Sequence, residues 1–307
     1  MATCPRIQPM ACKSLASHRF RNSSPISSIF NASMFSRATY PTASTVHRSK
    51  TFACRSVSVA SSNFTWEDAV HISLPESFQD DPSDLTGYFE KVKLCNRGSD
   101  MQSEFLPFVI DDQIVGHVHH GFAYHLKKYA NVFTFPRDDS VRMNGYVEKD
   151  GKKFLWIAKR SQMKQTFPGM LDELVAGGLP EGVSCEENLM KECEEEAGIP
   201  RSISNKAIPV GAVSYSDIKD YSYKRDVLFC YDLKLPESFI PKNQDGEVEG
   251  FRLLPVTNVA NVIRRTQLFK HNCALVIIDF LFRHGYIKPE SLGYLELLQS
   301  LKSGTCF

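Results

Sequence analysis

The stretch from Leu174 to Pro200 constrains the fold of this chain more than any other part of its sequence. It reads LVAGGLPEGVSCEENLMKECEEEAGIP, an apolar run that ends in paired glycines and is followed by an acidic segment. Ser184 with a glutamate three residues later has the pattern of a capping box, which predicts a helix start at about Cys185. Gly198, just before Pro200, predicts where that helix ends. We therefore expect a strand, a tight glycine turn and a helix.

The predicted helix carries three glutamates on one side. At about 100° per residue, Glu195 and Glu196 fall close to Glu192, an apolar stripe occupies the neighbouring face, and Glu194 points elsewhere. Like charges this close repel each other, and Mg²⁺ or Mn²⁺ relieves the repulsion and suits oxygen ligands. A solvated acidic face is the alternative interpretation. The glycine turn at a fixed distance before the carboxylates favours a metal-binding element that binds phosphate groups.

The stretch from Gly177 to Ile199 resembles the Nudix box, G-x5-E-x7-R-E-U-x-E-E-x-G-U, where U is a bulky aliphatic residue. The matching positions are Gly177, Glu192, Glu195, Glu196, Gly198 and Ile199. The departing positions are Val183 for the first glutamate, Lys191 for the arginine and Cys193 for the first aliphatic residue. Lys191 keeps the positive charge but lacks the planar guanidinium group, and Cys193 is a mild change. The loss of a carboxylate at Val183 leaves the metal ligands open, with Glu181 as the nearest substitute.

The carboxylates and the resemblance together imply a site for hydrolysis of a diphosphate linkage. Metal would be held by Glu192, Glu195 and Glu196. The catalytic candidates are Glu192, Lys191 and, by resemblance to a late loop glutamate of the family, Glu247, with Glu249 as the second choice. Substrate would contact Gly177, Gly178, Lys159 and Arg160. Lys159 and Arg160 belong to a basic patch, for which a solvated loop is the alternative interpretation. The product is a monophosphate plus phosphate, or two monophosphates from a diester.

The first 62 residues have the composition of a transit peptide. No aspartate or glutamate precedes Glu67, whereas eight basic residues and many serines do. This composition favours the chloroplast stroma over the mitochondrion, with a disordered cytosolic tail as the alternative. The whole chain has a net charge of +1, but without those eight basic residues it becomes acidic, which argues against nucleic acid as a partner. No apolar run is long enough to span a membrane, and the scattered cysteines argue against zinc or disulfides.

Residues 63–140 are expected to form a small α+β N-terminal domain. The pattern predicts a hairpin from Phe105–Ile110 and Ile114–Val118, a helix over 122–129 and a strand over 132–135. Several histidines crowd this segment, namely His117, His119, His120 and His125. They could ligate a metal, but we expect structural or surface roles because the sequence offers no carboxylate nearby.

Residues 141–303 are expected to form an α/β/α sandwich with a mixed sheet. A hairpin is predicted around residues 148–151, and further strands and helices follow from the apolar patterns. The predicted strands are Leu171–Val175, Ala207–Tyr215, Val227–Leu235 and Phe251–Val256. The predicted helices are Thr257–Arg265, Leu275–His284 and Pro289–Lys302.

The chain also resembles, over most of its length after residue 62, the plant and fungal Nudix proteins related to the Nudix form found with thiamin pyrophosphokinase. The similar segments are FVIDDQIVGHVHHGFAYHLKKYANVF, MNGYVEKDGKKFLWIAKRS and FPGMLDELVAGG. Several dozen residues of that subgroup are absent between Ser140 and Met143, so the N-terminal domain is expected to be truncated and to expose apolar surface. The resemblance implies damaged thiamin diphosphate analogues as substrates. A nucleoside diphosphate derivative, or a catalytically weak ligand-binding role, are the alternatives.

Overall fold

The computed structural model describes residues 64–110, 113–121, 139–219 and 222–304. The predicted transit peptide, the turn at 111–112 and the elements predicted over 122–129 and 132–135 lie outside these residues. The described strands are β1 (Phe105–Ile110), β2 (Gln113–His119), β3 (Ser140–Lys149), β4 (Lys152–Arg160), β5 (Leu171–Asp172), β6 (Val175–Gly178), β7 (Ile208–Lys219), β8 (Ser222–Lys234) and β9 (Val248–Pro255). The described α-helices are α1 (Trp66–Ser73), α2 (Thr86–Cys95), α3 (Cys185–Ala197), α4 (Arg201–Ser204), α5 (Val256–Arg265), α6 (His271–Arg283) and α7 (Tyr294–Ser300).

Strand β3 organises a mixed seven-stranded sheet. It runs parallel to β8 and antiparallel to β4 and β6, which pair with its two ends. β7 extends the sheet beyond β8, while β5 and β9 pair with β4. β1 and β2 form a separate antiparallel hairpin, as predicted. Because the pairing of β3 with β8 is parallel and the rest is antiparallel, the prediction of a mixed sheet is confirmed.

Helices cover both faces of this sheet. Side chains alternate along β3 and β8, so Val141 and Met143 face a core that includes Leu189 and Cys193 of α3. Leu228 and Cys230 of β8 belong to the other core, which contains the buried sides of α5, α6 and α7. Helix α6 is apolar almost all round because it is buried between the sheet and its neighbouring helices. The predicted α/β/α sandwich is therefore confirmed.

Several predicted elements differ from the structure in their bounds, for example α6, which begins at His271 instead of Leu275, and two of the differences have a clear local cause. The strand predicted over Leu171–Val175 is interrupted, because β5 pairs with β4 whereas β6 pairs with β3. The break contains Glu173, whose carboxylate accepts a hydrogen bond from Arg142. The helix predicted over Pro289–Lys302 begins only at Tyr294, because Gly293 before it has a left-handed backbone with φ of 85°.

Helices α1 and α2 were not predicted, although α1 carries a complete capping box of Thr65 and Asp68. Both helices pack against the core that contains α5 and α6. Arg265 fixes this contact with ion pairs to Asp80 and hydrogen bonds to carbonyls at the end of α1. The described helices of the N-terminal segment thus share their core with the sandwich. The boundary at residue 140 remains a prediction.

The hairpin of β1 and β2 leaves apolar side chains exposed to solvent. Leu106 is 47% exposed and Val109 is 50% exposed, both on β1. This exposure agrees in kind with the apolar surface expected of a truncated N-terminal domain. Whether that segment packs poorly as a whole stays a prediction, because residues 122–138 are outside the description.

Lys91 on α2 is buried, and its Nζ donates a hydrogen bond to the carbonyl of Thr266 at 2.5 Å. Burial lowers the pKa of Lys91 to about 8, from 10.5 for an unperturbed lysine. The unfolded chain therefore binds this proton more tightly, and the free energy of unfolding should rise between pH 8 and pH 10.5. Relative to Lys91→Met, the native protein should gain up to about 3 kcal/mol over that range in denaturant titrations.

Lys93→Met removes an exposed lysine from the same helix and serves as the matched control. An equal pH dependence of stability in the native protein and in Lys91→Met would contradict the assignment of the buried amine.

Candidate active site

The glycine turn and helix α3 form as predicted. β6 ends at Gly178, α3 begins at Cys185 with the Ser184 hydroxyl accepting from the Glu187 amide, and Gly198 ends the helix in a left-handed conformation. The capping box is only half formed, because the Glu187 carboxylate binds Arg201 at 2.7 Å instead of returning to the cap. The arginine offers a charge partner, which the backbone amide of the cap does not.

The absence of a side chain at Gly177 allows Glu192 to lie against the backbone of β6. A Cβ added to Gly177 would lie 2.2 Å from Cγ and 2.6 Å from Oε1 of Glu192. A Cβ added to Gly178 would meet nothing within 4 Å. The carbonyl of Gly178 instead accepts a hydrogen bond of 2.9 Å from the buried Asn188 side chain, which ties α3 to the turn. Gly177 therefore makes room for the Glu192 side chain, whereas position 178 has open space for a side chain.

Glu192 and Glu196 are the two helix carboxylates that face this turn. Glu196 accepts a 2.8 Å hydrogen bond from the backbone amide of Ala176. Burial, opposed by this bond, raises the pKa of Glu196 to about 8, and the charges of Asp172, Glu192 and Glu247 add to the rise. Burial also raises the pKa of Glu192. Two carboxyl groups with raised pKa values in one place form a site that favours a cation over two bare negative charges.

Glu195 and Lys191 lie on the more exposed side of the same helix. Lys191 Nζ is 2.9 Å from Glu195 Oε2 and 3.7 Å from Glu192 Oε1. Both side chains of the closer pair are about half exposed. Lys191 therefore contacts two of the predicted metal-ligating carboxylates, but only through its single ammonium group.

The loop before β9 brings Glu247 towards the helix carboxylates. The charge of Glu247 raises the pKa of both Glu192 and Glu196. Its own carboxylate forms a 2.5 Å ion pair with Lys164, and its carbonyl accepts a hydrogen bond from the Ser161 amide. The second candidate, Glu249, is instead paired with Lys159 at 3.0 Å. The geometry thus separates the two candidates and favours Glu247.

The predicted substrate-binding residues Lys159 and Arg160 are engaged by protein groups. Lys159 is buried, and besides Glu249 it lies over the ring of Phe64 at 5.3 Å. Arg160 donates to the carbonyls of Thr166 and Phe167 and to the carboxylate of Asp172. These contacts give both side chains a structural role, so their binding to substrate stays a prediction. Lys164, in the same predicted basic patch, contacts Glu247, the first-choice loop carboxylate.

Sequence analysis missed the buried acidic pair Asp172 and Glu173. Burial raises the pKa of Glu173, and the neighbouring charge of Asp172 raises it further. Burial acts against ionisation of Asp172 as well, but the charges of Lys270, Arg160 and Arg142 and a hydrogen bond with the Glu173 side chain bring its pKa below the usual range. Asp172 is therefore the charged member of the pair. Two acids inside an apolar strand are the signal that could have identified it, because buried carboxylates require partners.

The structure also tests the predicted crowding of carboxylates and histidines. Among the described residues, the groups of three possible ligands with all ligand atoms within 4.8 Å of one another are Glu104, His119 and His120, and Asp172, Glu173 and Cys273. The three glutamates of α3 do not meet this distance, because Glu195 turns to Lys191 and Glu196 to the Ala176 amide.

The expectation that no carboxylate lies near the histidines is wrong, because Glu104 Oε2 is 3.0 Å from His119 Nε2. The other ring nitrogen of His119 accepts from the amide of Gly121 at 3.1 Å. With Nδ1 accepting, Nε2 carries the proton and donates to Glu104, so in this arrangement the ring has no lone pair for a metal. The structural interpretation of His119 is thereby supported. His125 lies outside the described residues.

The comparisons with known proteins agree with this geometry. The NUDIX domain profile matches residues 140–271, and a domain of unknown function, DUF4743, matches residues 87–162. Nudix hydrolase 20, chloroplastic, of Arabidopsis thaliana is 48% identical over 320 aligned positions, which take in 80% of this chain and 85% of that protein. The chain belongs to the Nudix hydrolase family.

Further relatives of this Nudix hydrolase are more distant. Nudix hydrolase 24, chloroplastic, of Arabidopsis thaliana is 44% identical over 328 aligned positions, covering 85% of this chain and 90% of that protein. The NUDIX domain of Shewanella oneidensis NrtR, solved with ADP ribose, is 14% identical with a TM-score of 0.39, covering 52% of this chain and 97% of that chain.

Both Arabidopsis alignments are longer than the 307 residues of this Nudix hydrolase but include only part of them, so the relatives have residues that are absent here. Where those residues would fall stays a prediction. None of the described helices is long and apolar enough to cross a membrane.

Gly177→Ala should displace Glu192, because the new methyl group would overlap its side chain. We expect the hydrolytic kcat/KM of this Nudix hydrolase to fall at least about 10-fold, with weaker Mn²⁺ binding in electron paramagnetic resonance titrations. Gly178→Ala adds the same group in open space and is the matched control for the Mn²⁺ titration, which does not depend on the predicted contact of Gly178 with substrate. Equal losses of Mn²⁺ affinity in the two variants would contradict the role assigned to Gly177.

Glu196→Gln should stabilise the metal-free protein in a pH-dependent manner. A carboxyl group whose pKa rises from 4.5 to about 8 on folding makes the free energy of unfolding fall as the pH rises between these values. The amide avoids this loss and can still accept from Ala176, so the variant should be more stable by up to about 4 kcal/mol at pH 8 and equal near pH 4.5. Urea denaturation in EDTA measures this difference. Glu194→Gln, an exposed change on the same helix, is the control, and a less stable Glu196→Gln at pH 8 is the contrary outcome.

Proposed function

We propose that this Nudix hydrolase cleaves the diphosphate linkage of damaged thiamin diphosphate analogues, with Mg²⁺ or Mn²⁺ as cofactor, in the chloroplast stroma. The observation that carries the proposal is the position of Glu192 and Glu196 beside the glycine turn, with the charge of Glu247 acting on both. The names of the two Arabidopsis relatives support the chloroplast. The sequence resemblance to the thiamin-related subgroup supports the substrate.

The carboxylates of α3 suit a divalent cation. Burial and mutual repulsion raise the pKa values of Glu192 and Glu196, and hard cations prefer such oxygen donors. Glu192, Glu195 and Glu196 would hold the ion, with Lys191 oriented beside them. When bound, a divalent cation neutralises a diphosphate and lowers the pKa of a water molecule.

The protein's own groups would complete the reaction. Glu247 is assigned to accept a proton from the attacking water, because it comes from a loop outside α3 and its charge acts on both Glu192 and Glu196. Lys164 holds Glu247 by its charge, and Gly178, where an added Cβ would meet nothing within 4 Å, leaves the backbone of the turn open towards the diphosphate. Attack at phosphorus would give a monophosphate and inorganic phosphate.

The test is phosphate release from a panel of diphosphates by the full chain, with Mg²⁺ or Mn²⁺. Thiamin, oxothiamin and oxythiamin diphosphates are compared with ADP-ribose, for which phosphatase-coupled release is measured. We expect the damaged thiamin forms to give the highest kcat/KM, and Glu196→Gln to lower it at least about 100-fold. Glu194→Gln, which faces Arg201 on the other side of α3, should retain activity.

Each alternative predicts a different result. Preference for ADP-ribose would replace the thiamin substrate by a nucleoside diphosphate derivative. No cleavage of any compound with either cation, together with measurable binding, would instead support a ligand-binding protein, as the departures at Val183 and Lys191 suggest.

A further inference from the structure

The loop between β4 and β5 holds a bulky residue in an unfavourable backbone conformation. Among the described residues, Asp150 and Phe167 are the non-glycine residues with positive φ, at 50° and 51°. Asp150 lies in the tight turn between β3 and β4, where aspartate commonly adopts this conformation. Phenylalanine does not commonly adopt this conformation, because a left-handed backbone is costly for an aromatic residue and persists only where its surroundings enforce it.

The guanidinium group of Arg160 enforces this conformation. It donates to the carbonyl of Phe167 at 3.1 Å, to the carbonyl of Thr166 at 2.9 Å and to Asp172 Oδ2 at 2.8 Å. Asp172 is buried and charged, so its ion pair with Arg160 fixes the position of the guanidinium group. Three charge-assisted hydrogen bonds from one planar group define the path of the loop at Phe167.

The strain does not serve to bury the ring. Phe167 is 38% exposed. Its ring makes an edge-to-face contact with the ring of His271, with centroids 5.3 Å apart and an interplanar angle of 68°. An aromatic ring gains most when it is fully removed from water, so the partial burial of this ring offsets the backbone strain only in part. Strain of this kind is concentrated at ligand sites.

The loop borders the candidate active site at two points. At its start, the Ser161 amide donates to the carbonyl of Glu247, and Lys164 is paired with the Glu247 carboxylate. At its end, Asp172 receives Arg160, and the charge of Asp172 acts on Glu196. The Arg160 guanidinium group therefore links Phe167 to Asp172, the carboxylate whose charge acts on Glu196 of α3.

We propose that Phe167 is a stacking platform for a planar aromatic or heteroaromatic group that is attached to the diphosphate of the substrate. This assignment rests on the proposed diphosphate hydrolysis and adds to it a specificity-determining residue. The loop that contacts Glu247 holds the backbone of Phe167 in one conformation, so binding requires little further ordering there, which favours stacking over induced packing. Substrates with a ring would then be selected over alkyl diphosphates.

The test compares Phe167→Leu with Phe167→Tyr on two kinds of substrate. Leucine keeps apolar volume but removes the ring, whereas tyrosine keeps the ring. For thiamin diphosphate and ADP-ribose we expect Phe167→Leu to raise KM roughly 10-fold with kcat little changed, and Phe167→Tyr to match the native protein. For butyl diphosphate, which has no ring, all three proteins should give the same KM.

Met163→Ala is the matched control, because Met163 is an apolar residue of the same loop that is 89% exposed. It should alter neither substrate's KM. If Phe167→Leu changes KM for ring-bearing and alkyl substrates alike, the residue only shapes the loop and the proposal is overturned. No change with any substrate overturns it as well.

Equilibrium binding separates this proposal from the proposed reaction. Calorimetry with Ca²⁺ and α,β-methylene-ADP, which resists hydrolysis, is expected to show roughly 10-fold weaker binding to Phe167→Leu, while butyl methylenediphosphonate binds both proteins equally. If the native protein hydrolyses nothing but shows this difference, the reaction is wrong and the platform stands. If the native protein hydrolyses diphosphates but Phe167→Leu binds both analogues as tightly as the native protein does, the platform is wrong and the reaction stands. Failure of the native protein to bind either analogue overturns the platform.

Discussion

The close approach of α3 to β6 is the contact on which the candidate site depends. It requires a residue without a side chain at position 177, since Glu192 occupies the space that a Cβ would need. It also requires the Asn188 side chain to reach the Gly178 carbonyl and the Ala176 amide to reach Glu196. These contacts with one short strand fix the orientation of α3, and hence the position of its carboxylates.

A second constraint lies beneath this contact, in the buried charges around Asp172. Asp172 receives Arg160 and lies close to Lys270, while Glu173 receives Arg142. Buried ions are costly unless they are paired, and here the pairing links the end of β4, the start of α6 and the strand before the turn. The same charge raises the pKa of Glu196. The network therefore connects the framework of the sheet with the protonation state of the site.

Sequence reasoning predicted the elements that carry strong local signals. The glycine turn, the start and end of α3 and the mixed sheet are confirmed, because paired glycines, an N-terminal cap and alternating apolar residues act over a few residues. The interruption at Glu173 and the late start of α7 were not predicted, since they depend on which strand is paired and on a left-handed glycine. Helices α1 and α2 were missed despite a capping box at Thr65, because their stabilising contacts lie nearly two hundred residues later in the chain.

The roles of individual site residues were harder to predict than the fold. Glu192 and Glu196 could be found from helical spacing, but the preference for Glu247 over Glu249 depends on which lysine each one meets in three dimensions. Lys159 and Arg160 have the composition of an anion-binding patch, yet both are occupied by internal partners. Charge in a sequence does not distinguish a group that binds a ligand from one that holds a loop.

The packing of α1 and α2 on α5 and α6 has a consequence for any attempt to isolate the part of the chain that bears the site. Ile72, Tyr88 and Val92 belong to the same continuous core as the last helices. A fragment starting at Ser140 would expose the apolar face of α5 and α6 to solvent. It would also remove the carbonyls of Ile72 and Leu74, to which Arg265 donates hydrogen bonds. The described helices ahead of the sheet are thus part of the same folded body, so a fragment reduced to the residues that match the NUDIX profile would lose their packing against α5 and α6.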